Sequence, residues 1–239
     1  MSVNIPSQNP AVAGNLGATV ITVIRKELQR TEGQLPAKVI SYNRAKNVAK
    51  VEICIAMLTT GGKTVQRAQV AQVPVLALGG GGFFINFPLV AGNTGWIEAS
   101  DRDISLFLQS FQNVLPNTKR MHKFSDGRFV PDVFNAFTIA GADTNSMVIS
   151  SVDGTVRMSL SPNTLTLTAP TINLNATTLN INATTINTTA SGTITETATA
   201  IVENAPISMP DGATIGGIPF GTHRHGGVQT GTGDSTGPI

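Results

Sequence analysis

The order of apolar and polar positions divides the chain into three parts. In residues Leu16–Arg30 the apolar side chains approximate one stripe of a helix, and Gly33 and Pro36 follow as helix-ending residues. Residues 35–100 then show about five short, largely alternating runs separated by Gly- and Asn-containing turn signals. We therefore predict a short N-terminal helix followed by a small β-barrel, and the five-stranded OB-type barrel is our first choice.

The boundaries of the parts follow from where these patterns change. The run D-I-S-L-F-L-Q-S-F after the barrel suits either a short helix or a last strand, and L-P-N-T-K-R-M-H-K-F-S-D-G is typical of a loop. The predicted segments are an N-terminal arm and helix (1–34), an OB-type barrel (35–110), a connector (111–146), a shaft (147–218) and a tip (219–239).

The shaft contains a seven-residue repeat. Thirty-eight residues between Arg157 and Glu196 carry no charge. Within them the apolar residues lie two apart, as in strands, and not three and four apart, as in a coiled coil. Each repeat therefore predicts a strand of about five residues and a two-residue corner, because Thr favours strands. The repeats are T-L-T-L-T-A-P (164–170), T-I-N-L-N-A-T (171–177), T-L-N-I-N-A-T (178–184) and T-I-N-T-T-A-S (185–191).

A single copy of this repeat has too few apolar atoms to cover itself. Its strand edges would also stay open and invite aggregation. Identical chains wound around a common axis solve both problems, so we predict an intertwined homotrimeric β-helix over residues 147–218 and an all-β fold. A disordered Thr/Asn-rich linker and a silk-like or amyloid-prone segment are the alternatives.

Two of the three histidines, His223 and His225, lie two apart near the end of the chain. In an extended chain such residues point to the same side. A threefold axis would bring six imidazoles together, which suits octahedral iron or nickel and exceeds the four ligands of structural zinc. Without a trimer, the same pair would be two solvent-exposed histidines in a tail.

Composition narrows the function further. The net charge of +2 is the sum of +5 in residues 1–157 and −3 in residues 158–239, so neither part is basic enough to favour nucleic acid. The single cysteine, Cys54, excludes an intrachain disulfide, and its strand-like surroundings predict an ordinary half-buried thiol. No secretory signal is recognisable and no run approaches the ~20 apolar residues of a membrane span, so we expect synthesis in the cytoplasm.

The end of the chain resembles a known family. T-H-R-H-G-G-V-Q-T-G-T-G-D-S-T-G-P is similar to the tip of the central, membrane-piercing spike of contractile phage tails. I-S-Y-N-R-A-K-N-V-A-K-V-E-I, V-P-V-L-A-L-G-G-G-G-F-F-I-N-F-P and A-S-D-R-D-I resemble the N-terminal OB-barrel domain of one branch of these spikes. The run G-N-T-G-W (92–96) departs from an acidic G-D-x-x pattern expected there. The resemblance implies one octahedral iron ion per trimer, held by His223 and His225 of three chains.

The resemblance also implies a mechanical function. The chain would be a virion protein at the tail tip, a homotrimer bound to tail hub, baseplate or tail tube proteins that pierces the host outer membrane without binding nucleic acid. A trimeric receptor-binding tail fibre is one alternative, although the only Trp and Tyr, Trp96 and Tyr42, fall in the predicted barrel. The spike of a related contractile secretion machine is another.

We expect no enzymatic activity. The run G-G-K-T (61–64) lacks the earlier glycine of a phosphate-binding loop and suits a hairpin turn, and G-G-G-G (79–82) suits a loop or a close trimer contact. His122 has Ser125 and Asp126 near it in sequence, but a catalytic triad is assembled by the fold and not by local crowding.

Overall fold

A computed structural model describes residues 15–59, 62–209 and 212–219 of the chain. Contacts between residues divide the chain into two units, Met1–Leu174 and Asn175–Ile239, which are described separately. The helices are α1 (Leu16–Arg30) and α2 (Ser105–Ser110). The strands are β1 (Gln34–Asn43), β2 (Val48–Ile53), β3 (Met57–Leu58), β4 (Thr64–Val65), β5 (Val70–Pro74), β6 (Leu78–Gly80), β7 (Phe83–Ile85), β8 (Thr94–Ser100), β9 (Lys123–Pro131), β10 (Met147–Ser150), β11 (Arg157–Ser161), β12 (Thr164–Thr168), β13 (Thr214–Ile215) and β14 (Ile218–Pro219).

The short N-terminal helix predicted from the sequence is confirmed. Asn15 caps α1, because its side-chain oxygen accepts a hydrogen bond from the Gly17 N–H at 2.9 Å. Within the described residues of α1 only Ala18 is buried, so the apolar stripe of the helix stays exposed.

A five-stranded antiparallel sheet forms most of the first unit. Its strands lie in the order β5-β2-β1-β8-β9. A parallel bridge between Val75 and Phe129 joins its two edges, and the Leu76 N–H donates to the Phe129 carbonyl at 2.8 Å. The sheet is therefore a nearly closed barrel, and its strand order is compatible with the OB-type barrel expected from the sequence.

The barrel interior is filled by alternating residues from all five strands. In β2, for example, Ala49, Val51 and Ile53 are buried while the residues between them are partly exposed. This period of two is the one that predicted the strand. The buried cluster consists of Ala37, Val39, Ala49, Val51, Ile53, Val73, Val75, Ile97, Phe124 and Phe129.

The last strand of the barrel lies beyond the sequence range 35–110 that was predicted for the barrel. The fifth strand is β9, which lies in the segment 111–146 that the sequence assigned to the connector, so the barrel ends near residue 131 and not at 110. The pattern was misleading because β9 has few apolar residues, and it buries Asp126 and Gly127 beside Phe124 and Phe129. The run D-I-S-L-F-L-Q-S-F contains the short helix α2 and no strand.

The run F-F-I-N-F-P was also predicted as a strand of the barrel. Its residues Phe83–Ile85 do form a strand, β7, but β7 pairs only with β6 in a separate two-stranded hairpin. Four glycines precede the run and Pro88 ends it, so the strand between these breaks is only three residues long.

The predicted shaft has two different parts in the single chain. Strands β10, β11 and β12 form an antiparallel three-stranded sheet in which every strand pairs within the chain. This differs from the expectation that intertwining begins at Met147. Residues 169–209 form no helix and no paired strand, and β13 and β14 form a short hairpin after them.

Candidate assembly surface and metal site

The apolar side chains of the repeat are exposed in the chain. In the first unit, the exposed fraction lies between 52% and 69% for the residues Leu165, Leu167, Ile172 and Leu174. In the second unit, the same holds for the repeat residues Leu179, Ile181 and Ile186 and for Ile194, at 55–61%. Residues 170–191 are exposed throughout, apolar and polar alike, so the single chain does not bury the apolar residues of the repeat.

This exposure is costly in water. Full burial of a Leu or Ile side chain is worth about 1.5–3 kcal/mol, so each half-exposed residue leaves about 1–2 kcal/mol unrealised. A contiguous exposed apolar surface marks an interaction site when it exceeds the single scattered residues normal for a monomer. We therefore take the apolar side of the repeat as the candidate assembly surface.

The candidate metal ligands His223 and His225 lie outside the described residues. Within residues 15–59, 62–209 and 212–219, no group of three or more His, Cys, Asp or Glu side chains is placed to hold a metal ion. Neutral imidazole is a ligand that iron accepts. Two imidazoles per chain require further chains to complete the ligand set of one ion.

A network of charges fixes the start of α2 and the loop after it to the barrel. The Arg120 guanidinium donates to Asp126 through Nε at 3.0 Å and Nη2 at 2.8 Å, and Nη2 lies 3.1 Å from Asp103 Oδ2. Asp103 also accepts from the Thr118 hydroxyl at 2.7 Å and from the Ser105 N–H at 2.9 Å. Both carboxylates are buried. This network was not predicted, because Thr118, Arg120 and Asp126 lie in a run typical of a loop and their pairing with Asp103 depends on the fold.

The environment of Asp103 favours its charged form. The Ser105 side chain lies beside the carboxylate, although its hydroxyl forms no well-directed hydrogen bond. Together with the Thr118 hydroxyl and the Ser105 N–H, it holds the pKa of Asp103 well below its usual range. Hydrogen-bonded acids that stay ionised suit a structural role.

The residues near His122 are not arranged as a catalytic triad. The His122 Nδ1 lies 3.5 Å from Asp101 Oδ1, whereas the Ser125 hydroxyl donates to Asp126, which already pairs with Arg120. In the described residues no hydrogen bond joins His122 to Ser125, and a serine nucleophile needs that bond to its base.

The described residues around the G-G-K-T run form the expected hairpin. Strands β3 and β4 pair with Met57 opposite Val65, and the Thr59 N–H donates to the Lys63 carbonyl at 2.9 Å. The prediction for Cys54 was wrong in one respect: the thiol is exposed and not half-buried. It follows the end of β2 at Ile53, where the alternation that suggested burial stops.

The only Trp and Tyr of the sequence, Trp96 and Tyr42, form hydrogen bonds within the first unit. The Trp96 indole N–H donates to Asp132 Oδ2 at 2.8 Å. The Tyr42 hydroxyl donates to Asn47 Oδ1 at 2.9 Å and accepts from the Asn86 side chain at 3.0 Å. Both side chains are partly buried and their polar groups are hydrogen-bonded within the first unit.

None of the helices in the described part of the chain has the length and apolarity needed to cross a bilayer.

Comparison with known proteins supports the barrel assignment. Residues 35–132 match the family model described as phage protein Gp138 N-terminal domain. The matched range begins inside β1 and ends one residue after β9, so it coincides with the barrel of the structure. No curated protein matches the chain. The barrel is thus similar to a phage protein domain, and this similarity supports a structural protein of a phage tail or baseplate and a location in the virion.

Proposed function

We propose that the chain is the puncturing spike at the end of a contractile phage tail and acts as a homotrimer. The observation that carries the proposal is the exposed, regularly spaced set of apolar residues from Ile172 to Ile186, which lies in a segment that forms no paired strand within the chain. Three copies wound around one axis would cover it and would also pair the open strand edges. The phage family match of the barrel supplies the context.

Each part of the chain has a mechanical role in this proposal. The barrels form a platform on the tail hub, baseplate or tube, and the trimeric β-helix is a stiff shaft. Strands that pair with neighbouring chains cannot peel away singly, because peeling breaks hydrogen bonds along a whole ladder. The shaft surface is Thr and Asn without charge from residue 158 to 195, which lowers the desolvation cost of entering the outer membrane. No catalytic step is required.

The tip would hold the three chains together at their ends. His223 and His225 of each chain supply six neutral imidazoles, a donor set that fits one octahedral iron ion. The free energy of metal binding would stabilise the folded, associated state of the three chain ends. The chain's own contribution is to place two imidazoles on one side of the backbone, with Arg224 facing the other side.

The first test measures mass and metal together. Purified full-length protein should sediment as a trimer and contain about one iron per three chains by metal analysis. Replacement of both His223 and His225 by Ala should remove the iron and leave the trimer, because the shaft supplies most of the buried area. The matched control His122→Ala removes a histidine of the barrel unit and should keep the iron. A stable single chain refutes the trimer, and full iron in the double variant refutes the tip assignment.

A second test separates a spike from a receptor-binding fibre. A fibre added in excess to host cells occupies receptors and blocks adsorption of the phage. A spike acts after adsorption, so excess trimer should leave adsorption unchanged, whereas phage carrying the His223→Ala and His225→Ala changes should adsorb normally and infect poorly. Competition for adsorption by the purified trimer would favour the fibre instead.

A further inference from the structure

The sheet of β10, β11 and β12 has one entirely apolar face. Its registers align the three strands in two rows of three residues, and because residues two apart in a strand share a face, both rows lie on the same side. The rows are Met147–Leu160–Leu165 and Ile149–Met158–Leu167. The exposed fractions of Met147, Ile149, Leu165 and Leu167 lie between 52% and 62%. No charged or polar side chain interrupts this face.

The opposite face is covered by the same chain over its central strand, β11, while Ser150 and Thr166 on the outer strands stay exposed. There, Arg157 Nε donates to Asp143 Oδ2 at 2.6 Å, and Arg157 Nη1 donates to the Gly154 carbonyl at 3.1 Å. Asp143 and Ser159 are buried, and the Ser159 hydroxyl and the Arg157 guanidinium lower the pKa of Asp143. Polar contacts with its own chain therefore occupy the centre of this face, whereas the apolar face is the side left for a partner.

The partner that fits this face is a second and a third copy of the chain. The face carries no charge that could select a partner of opposite charge, and residues that follow it continue the same Leu-x-Leu spacing as Ile172-x-Leu174 and Leu179-x-Ile181. The strands β10 and β12 are the two edges of the sheet, so neighbouring copies can place one kind of edge beside the other and close a ring.

The repeat alone does not define how three chains align. If one chain shifts by seven residues relative to its neighbours, its repeat 171–177 takes the place of its repeat 178–184. The Leu and Ile residues then keep the same alternate positions. Such a slip costs little, since register is specified weakly where the pattern repeats. The segment 147–163 has no copy elsewhere in the chain, so its alignment is unique.

The sheet can also form before the chains meet. All its pairs are intrachain, and its connections are the short segments between Ser150 and Arg157 and between Ser161 and Thr164. Local pairing with short loops is fast, whereas an intertwined strand has no partner until other chains are in place. We propose that the apolar face of the β10–β12 sheet is where three chains first associate, and that it sets the register from which the repeat winds. This inference rests on the proposed trimer.

Assembly kinetics of the full-length chain test the order of events. Denatured protein is refolded, and the appearance of trimer is followed by light scattering and native mass spectrometry. Leu167→Ala should slow trimer formation about tenfold, because association in the transition state uses that side chain. Ile181→Ala should leave the formation rate unchanged and accelerate dissociation of the finished trimer. Both side chains are largely exposed in the single chain, so neither change empties an existing core.

Two further variants control for folding defects. Ile149→Ala lies on the same face in a different strand and should slow assembly as Leu167→Ala does. Thr166→Ala lies in the same strand on the opposite face and should assemble at the rate of the unaltered chain. The inference is overturned if the two face variants assemble at the normal rate, or if Ile181→Ala or Thr166→Ala slows assembly equally. A wild-type chain that never associates overturns the proposed trimer itself.

Discussion

The stability of the shaft should depend on the apolar side of each repeat, and Ile181→Thr is the change that isolates this effect. The fourth repeat already has Thr188 at the position that Ile181 occupies in the third, so the substitution keeps the strand propensity and changes only the apolar contact. Ile181 is 61% exposed in the single chain. Burial of this exposed part of the side chain in a trimer is worth about 1–2 kcal/mol per chain, or about 3–6 kcal/mol per trimer.

The expected effect is large enough to measure directly. A loss of about 3 kcal/mol corresponds to a more than hundredfold weaker association. Trimer dissociation in increasing guanidinium, followed by sedimentation, should shift to lower denaturant for Ile181→Thr. The barrel should unfold at its normal midpoint, since its core residues are in another part of the chain.

The matched control is the neighbouring outward residue. Asn182→Thr introduces the same side chain at a position where the first and fourth repeats already have Thr168 and Thr189. It should leave dissociation unchanged. If Ile181→Thr and Asn182→Thr behave alike, the alternation does not separate an inner from an outer side, and the reasoning that leads to a β-helix fails.

Two further predictions concern the barrel. Gly127→Ala should lower the free energy of unfolding by about 2–3 kcal/mol in a denaturant titration, because the new Cβ would collide with the Glu98 carbonyl oxygen; Gly80→Ala, which meets nothing within 4 Å, is the control, and equal effects would contradict the close packing of β8 and β9. Asp103→Asn should destabilise the barrel at pH 7 and flatten its response to acid. The lowered pKa of Asp103 gives a stabilisation that is complete above the ordinary Asp pKa of about 3.9 and is lost as the pH falls below it; a variant with the wild-type acid transition would show that Asp103 does not contribute.

The sequence predicted the helix and most of the barrel because those segments follow a single period. Leu16–Arg30 has the spacing of a helix, and β2 buries every second residue as a barrel strand should. The strand β9 was missed because its inward positions include Asp126, whose burial depends on Arg120 from outside the strand. A pattern of apolar residues does not reveal a buried carboxylate that is paired with an arginine outside the strand.

The hairpin of β6 and β7 shows a different limit. Phe83 and Phe84 look like core residues, yet they are 83% and 73% exposed. Their spacing gives no information on whether the surface they form belongs to the barrel or to a partner. The Asn86 side chain, which pairs with Tyr42 and Arg44, fixes the base of the hairpin to the barrel by polar contacts that a search for apolar periods does not detect.

The tip could be predicted only from residue types. His223 and His225 lie outside the described residues, so their arrangement is known from spacing alone. The repeat before them is better determined, since its alternation and the exposure of its apolar residues agree. Whether three chains cover that side is a property of the assembly, and the fold of one chain does not contain it.

The barrel and the repeat solve the problem of open strand edges in different ways. In the barrel, the bridge between Val75 and Phe129 joins β9 to the end of β5. One chain thus pairs the two edges of its own sheet and buries its own core. After Thr168 the repeat forms no paired strand within the chain. In the trimer that we propose, this part of the repeat buries its apolar residues against identical neighbours. In the proposed trimer, the regularity of residues 171–191 suits a shaft but fixes no register, so the unique segment 147–163 ahead of the repeat is the part that aligns the three chains.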